Sequence, residues 1–383
     1  MLLPAELIDH IFSFLRKDTL ALNACSKAHP LYSRLAERYL YAHIVIDPEV
    51  CNLILENPRL LDHPRSLEFD STKTLLSISI MSIIPQMTNL VSLSISFTCP
   101  VEQRDEFIST FRNCLQQSSF QELHLFNLYD LPFSILDDAK NIKKLTLSDT
   151  TADEDEPISS SPSSQLSLET LVLSGFHDAD IHRWATRWVT RLTTLELHNL
   201  WLDLDWTLFP ELLAACSNSL TNLHLDTDYS CMSYPSLLSR IYIYFIGDNN
   251  EFPFTLSVLM RLKRLSISTL ITTNATESSW ALPEIIRLVN TAPAIHDVVI
   301  QSHCHVSDSI TSLGQLNWSL LDDLRSNCTG ERPRIDLCVT GEGTLGPEFC
   351  SESILDALAE NQALMDLVKR GQVLLKSERT WGY

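Results

Sequence analysis

The residues best suited to chemistry lie towards the C-terminal end of the sequence. "HCH", His303 to His305, sets three metal-ligand types in a row. Neighbouring residues on a strand point to opposite faces, so these three converge poorly on one ion. "GEGTLG", Gly341 to Gly346, is a true Gly-x-Gly-x-x-Gly motif behind a predicted strand, "RIDLCVT". Such a motif cradles a pyrophosphate only where a helix begins inside the loop. Here Pro347 and five further residues precede the helical pattern, which runs roughly from Ser353 to Arg370. The last unit of a repeat has the same strand–turn–helix order. No Gly-x-Ser-x-Gly, His-Glu-x-x-His or Gly-Lys-Ser/Thr motif occurs. The expectation is a protein that is not an enzyme, with no cofactor and no metal. A nucleotide-dependent enzyme, resting on Gly341–Gly346 alone, is the rival from that class.

Composition narrows the partners. The chain has 383 residues, with 28 basic against 48 acidic and a net charge of −20. Nucleic acid and anionic membranes reward clustered Lys and Arg, so neither is expected as a partner. There is no run of eighteen apolar residues, hence no expected membrane span. Ten cysteines are scattered without a Cys-x-x-Cys pair. Glu6 and Asp9 interrupt the apolar N-terminal stretch, and Arg16-Lys17 follows it rather than precedes it, which argues against a secretory signal. Free thiols in a reducing compartment, cytoplasmic or nuclear, follow as the expectation.

Any binding residue must be positioned by a repeat. Glycine occurs only 9 times, while leucine fills about one position in six. "LVSLSI", "FQELHL", "IKKLTL", "LETLVL", "LTTLEL", "LTNLHL" and "LKRLSI" share one shape, with central leucines at 93, 123, 145, 171, 195, 223 and 265. "RSLEF" at Leu67 and "IHDVVI" at Val298 are weaker copies. The alternating tail of each predicts a short strand with one buried face. Helical patterns fall between, at Asp105–Gln117, Ile181–Leu192, Thr207–Ser219 and Ala281–Ala292. Most steps fall near the 20–29 residues of a leucine-rich repeat. The period is uneven, and the Asn that usually follows the strand is mostly absent. A stack of such units buries what one unit cannot, giving a solenoid with a curved parallel sheet.

Two stretches interrupt the repeat. Residues 150–164 carry a run of acids and many serines, which predicts a mobile loop. "RIYIYFIGDNNEFPF" predicts an inserted hairpin or a lengthened unit.

Residues 1–46 stand outside the repeat. Three short helices are expected: Pro4 to Leu15, about Thr19 to Ser26 with Asp18 as N-cap, and about Pro30 to Tyr41. Leu7, Ile8, Ile11, Phe12 and Leu15 recur at helical spacing and form an apolar face in the first. So small a unit has little core of its own, and an external partner would account for the apolar excess.

These residues carry a resemblance. "LPAELIDHIFSFL", Leu3 to Leu15, is similar to the opening of an F-box, and "ACSKAHPLYSRLAERYLYAHIVI", Ala24 to Ile46, resembles the mushroom-type F-box proteins of fungi. Cys25, Ser26, Tyr32, Arg38, Leu40, Tyr41, Ile44 and Ile46 fall on the family's positions. The pattern departs at Lys27 to Pro30, and Tyr32 stands where Trp is common. Together with the repeat, the resemblance gives an α/β chain with a three-helix F-box at 1–46 followed by an irregular leucine-rich-repeat solenoid at 47–383. It also implies the substrate-recognition subunit of a cullin–RING (SCF-type) ubiquitin ligase. In that role Leu3, Pro4, Leu7, Ile8, Ile11, Leu15, Leu20, Cys25 and Tyr32 would bind a Skp-type adaptor, and through it a cullin. The repeat would hold a protein target. A leucine-rich-repeat scaffold outside any ligase is the alternative, and a helix that merely caps the solenoid is the bland reading of the first segment.

Strand position singles out candidate target contacts. Ser94, His124, Thr146, Val172, Glu196 and His224 sit between the paired leucines of their segments. If the leucines face the core, these six face outward.

Overall fold

The computed structural model describes residues 4–70, 83–96, 104–116, 119–151, 166, 168–175, 179–198, 209–226, 255–272, 281–305, 334–341, 362–370 and 373–379. The hairpin expected at 240–254, the acidic stretch from 152 and the glycines after Gly341 lie outside them. The chain forms two compact units, Met1–Leu168 and Glu169–Tyr383.

The first unit opens with three helices: α1 (Ala5–Leu15), α2 (Thr19–Ala28) and α3 (Pro30–Leu40). Each starts where a cap or a proline provides for it. Pro4 precedes α1, the Asp18 carboxylate accepts from the Ala21 N–H at 2.9 Å, and Pro30 begins α3 beyond the cap at His29. The helices do have a small core of their own. Ile8, Phe12, Leu22 and Ala36 are buried together, and Leu15, Cys25, Tyr32 and Leu35 lean on them. Tyr39 of α3 ties the group by donating its hydroxyl to the Asp9 carbonyl and carboxylate, each at 3.1 Å.

Among the described residues of this unit five strands follow: β1 (His43–Ile46), β2 (Ser66–Asp70), β3 (Ser92–Ser96), β4 (Glu122–Phe126) and β5 (Lys144–Ser148). Each pairs in parallel with the next. His43–Ile46, the end of the F-box-like stretch, is thus the first strand of the ladder. Helix α4 (Pro48–Glu56), capped by Asp47, and α5 (Arg104–Leu115) lie between strands. The second unit repeats the arrangement. Its strands are β6 (Thr170–Ser174), β7 (Thr194–His198), β8 (Asn222–Asp226), β9 (Arg264–Thr272), β10 (Asp297–His305), β11 (Arg334–Gly341) and β12 (Val373–Arg379). They pair in parallel in chain order. Helices α6 (Ala179–Trp188), α7 (Phe209–Cys216), α8 (Ala281–Asn290) and α9 (Gln362–Lys369) separate them. This is the strand-and-return construction of an irregular leucine-rich repeat. The "RIDLCVT" strand lies in β11, α9 falls within the helical pattern expected at 353–370, and Val373–Arg379 pairs beside β11 as the last described strand of that ladder.

Leucine fixes the register. Leu67 aligns with Leu93, Leu93 with Leu123, and Leu123 with Leu145. Leu171, Leu195, Leu223 and Leu265 align in the same way in the second unit. All eight are at most 1% exposed. Each buried leucine contributes roughly 1.5–3 kcal/mol. A slip of one residue would turn the whole row onto the polar face. The return segments add large side chains to the core, among them Phe111, Trp184, Trp188 and Phe209, all at most 2% exposed.

Backbone links repeat from turn to turn. The Glu169 carbonyl accepts from the N–H groups of Thr193 and Thr194, the Thr193 carbonyl from Thr221 and Asn222, and the Thr221 carbonyl from Lys263 and Arg264. Ala42, Arg65, Val91 and Gln121 do the same in the first unit. The residue after the strand also has a recurrent role. Asn127, Asp149 and Gly175 each follow a strand and have φ of 53°, 47° and 67°. Asn, Asp and Gly are the residues that tolerate this left-handed conformation. The position after the strand, expected mostly to lack its Asn, is held here by Asn, Asp or Gly.

One boundary differs from expectation. Thr150, placed at the start of the mobile loop, is 2% exposed. Its hydroxyl lies 3.0 Å from the Ser148 carbonyl and 3.4 Å from that of Leu125. Thr151 is held as well, donating its N–H to the Leu128 carbonyl at 2.8 Å. The polar composition of 152–164 does not extend to these two anchors.

Candidate functional site

Candidate residues lie on the helical module of the first unit and on the polar strand face of each unit. In the first unit, α1 carries apolar residues on two faces rather than one. Ile8 and Phe12 are each 3% exposed and point into the three-helix core. Leu7, Ile11 and Phe14 are 44%, 41% and 75% exposed. At 100° per residue these three fall within one narrow stripe, because spacings of four and three return to the same side. Leu20, at the start of α2, is 82% exposed.

This sorts the residues expected to meet an adaptor. Pro4, Leu7, Ile11 and Leu20 are on the surface, and Leu3 lies outside the described residues. Leu15, Cys25 and Tyr32 are half-buried against the module's own core, with Tyr32 edge-on to Phe12 at 6.2 Å. Ile8, also among the expected contacts, has its side chain in that core and not on the exposed stripe. Phe14 was missed. It shares the stripe of Leu7 and Ile11, a signal present in the seven-residue spacing from Leu7.

The outward row keeps the expected register in both units. In the first, Ser94 aligns with His124, and His124 with Thr146. The His124 Nδ1 sits 2.9 Å from the Thr146 hydroxyl. Burial pushes the His124 imidazole below its ordinary pKa, and the Lys144 charge adds to this while Glu122 opposes it. Thr146 is only 9% exposed, so it supports His124 rather than offering itself as a contact.

In the second unit, Val172 aligns with Glu196, and Glu196 with His224. Val172 takes the expected register but is 8% exposed, closed in as an apolar β-branched side chain on a polar face. Glu196 and His224 remain accessible, and two unexpected residues join them. His198 and Asp226 lie two positions further along β7 and β8, on the same face because strand parity is two. The His198 Nδ1 lies 3.3 Å from an Asp226 carboxylate oxygen, and its Nε2 lies 3.5 Å from Glu196. The rings of His198 and His224 are 5.0 Å apart. The hydrogen bond to Asp226 holds the His198 imidazole above its ordinary pKa, although burial works against it. Burial pushes His224 below its ordinary value, and the neighbouring His198 reinforces this. Two imidazoles side by side thus have opposite tendencies. The signal for the added pair was available as "ELH" and "HLD", the same three positions of successive repeats.

His303, Cys304 and His305 are consecutive residues of β10. Cys51, Cys114 and Cys216 are buried free thiols, pushed up to about 11, 12 and 12 by burial, which keeps them protonated and unreactive. No helix among the described residues is long and apolar enough to cross a membrane.

No family model matches the sequence, and no curated protein matches it. Among solved structures, the chain is similar to the leucine-rich repeat-containing protein LegL7 from Legionella pneumophila. That likeness has 13% identity over 83% of this chain and 98% of that one, with a TM-score of 0.42. It is also similar to an internalin from Listeria monocytogenes, with 14% identity over 88% of this chain and 96% of that one, and a TM-score of 0.24. Likenesses at this level carry nothing about binding or activity.

Proposed function

We propose that the chain is a substrate receptor of a cullin–RING ubiquitin ligase, docking a Skp-type adaptor through its N-terminal helices and a protein target through its repeat. The observation that supports this most is the second apolar face of α1. Leu7, Ile11 and Phe14 stay exposed although the module already has a core in Ile8, Phe12, Leu22 and Ala36. Aliphatic and aromatic anchors left outside a closed core are what a partner's groove requires. The F-box-like "LPAELIDHIFSFL" supplies the identity of that partner. The protein itself then makes and breaks no bonds. It raises the effective concentration of a target's lysines near a ubiquitin-charged enzyme. The polar faces of the two strand ladders are the receptor surface, and the compartment is the cytoplasm or nucleus.

Co-purification of the full chain with a purified Skp-type adaptor tests this. A stable complex that is lost in L7D/I11D is the expected result. A wild-type chain that does not bind the adaptor would leave a leucine-rich-repeat interaction scaffold outside any ligase, the reading in which only the sheet face works.

A further inference from the structure

We propose that His198, His224 and Asp226 form a binding site for a divalent transition metal, best suited to Zn2+, on the polar face of β7 and β8. This site is independent of the adaptor reading. One donor atom from each residue lies within 4.8 Å of the other two. The backbone beneath them is set by the parallel ladder, with Glu196 opposite His224, and two positions further along the side chain of His198 lies beside that of Asp226. Adjacent strands lie about 4.8 Å apart, so two alternating residues from each strand make a small square of side chains. Leucines hold that square from below: Leu195, Leu197, Leu223 and Leu225 are all at most 2% exposed.

The donor set selects the ion. Two imidazoles and one carboxylate suit Zn2+ and its neighbours, whereas Mg2+ and Ca2+ favour oxygen alone. Donors around a tetrahedral zinc lie about 3.3 Å apart, given bonds of about 2.0–2.1 Å. The His198–Asp226 pair already has that separation at 3.3 Å, and His224 must swing inward by side-chain rotation. Glu196 completes the arrangement. It faces the other nitrogen of His198 at 3.5 Å, as a carboxylate does when it orients a metal-bound histidine. Ligation through His198 Nδ1 would release any proton held there. Three protein ligands leave a fourth position on the solvent side for water.

The test uses the full chain, reduced and stripped with a chelator, titrated with Zn2+ against a chromophoric competitor. The wild type is expected to bind one ion at this site. H198Q, H224Q and D226N are each expected to weaken that binding by at least about tenfold, and E196Q by about tenfold. Co2+ separates this site from the ten cysteines. The visible bands lost in the variants should be those of a nitrogen–oxygen ligand set, without a thiolate charge-transfer band. Because D226N nearly preserves shape and these side chains stand off the leucine core, circular dichroism should be unchanged. Zn2+ should raise the melting temperature of the wild type but not of H198Q/H224Q. Variants that bind Zn2+ as tightly as the wild type overturn the proposal, as does a lost signal of thiolate character.

Discussion

Leu7 and Ile8 are consecutive residues of one helix, yet Ile8 is 3% exposed and Leu7 is 44% exposed. Their Cβ atoms diverge by about 100° around the axis of α1, enough to send one into the three-helix core and the other to the surface.

Substitutions at these two positions should therefore have opposite consequences. L7D/I11D should abolish adaptor binding and leave the melting temperature of the chain nearly unchanged. I8A should cost about 2–5 kcal/mol in the stability of the helical module, as a large-to-small core change does. Adaptor pull-down and thermal unfolding, measured on both variants, separate the roles. Normal binding by L7D/I11D would rule out docking through this stripe.

Glu196 and His224 share a rung and support no core. E196A/H224A should fold as the wild type does, with a stability change within about 0.5 kcal/mol, and should still bind the adaptor. It should lose proteins that the wild type retains after crosslinking and mass spectrometry. Retention of all of them would move the receptor surface away from β7 and β8.

His124 should make stability depend on pH in one direction. Its folded pKa is lowered by burial, with Lys144 adding and Glu122 opposing. At neutral pH both folded and unfolded chains hold it uncharged. As the pH falls below the free-imidazole value of about 6.5, the unfolded chain takes up a proton first, so stability declines. H124Q should flatten this part of the curve, read as the wild-type-minus-variant difference in urea midpoint. An identical slope in both proteins would show that His124 contributes nothing.

Thr150 should behave as an anchor rather than as loop. T150V keeps its shape and removes a buried hydroxyl that serves the Ser148 carbonyl at 3.0 Å. A loss of about 0.5–1.5 kcal/mol in urea unfolding is expected. Deletion of residues 152–164 should shift the melting temperature by only a degree or two, since loop closure depends weakly on length. Equal effects from the two changes would contradict the boundary drawn at Thr151.

Much of the ladder was legible in the sequence because its signal is local. Leu123 and Leu125, or Leu195 and Leu197, reveal a buried strand face from spacing alone, and parity then places His124 and Glu196 on the other face. The starts of α2 and α3 were legible for the same reason, since Asp18 and Pro30 act within one turn. Other features were not local. That His198 lies beside Asp226 depends on the pairing register of strands 28 residues apart. That Val172 is closed in, while Glu196 on the next strand is open, depends on the side chains around each. On α1 the sequence supplied two apolar stripes and no means of choosing between them. The choice was made by Leu22 and Ala36, which α2 and α3 bring against Ile8 and Phe12. Periodicity determines which residues share a face, but only the packed neighbours decide which face is buried.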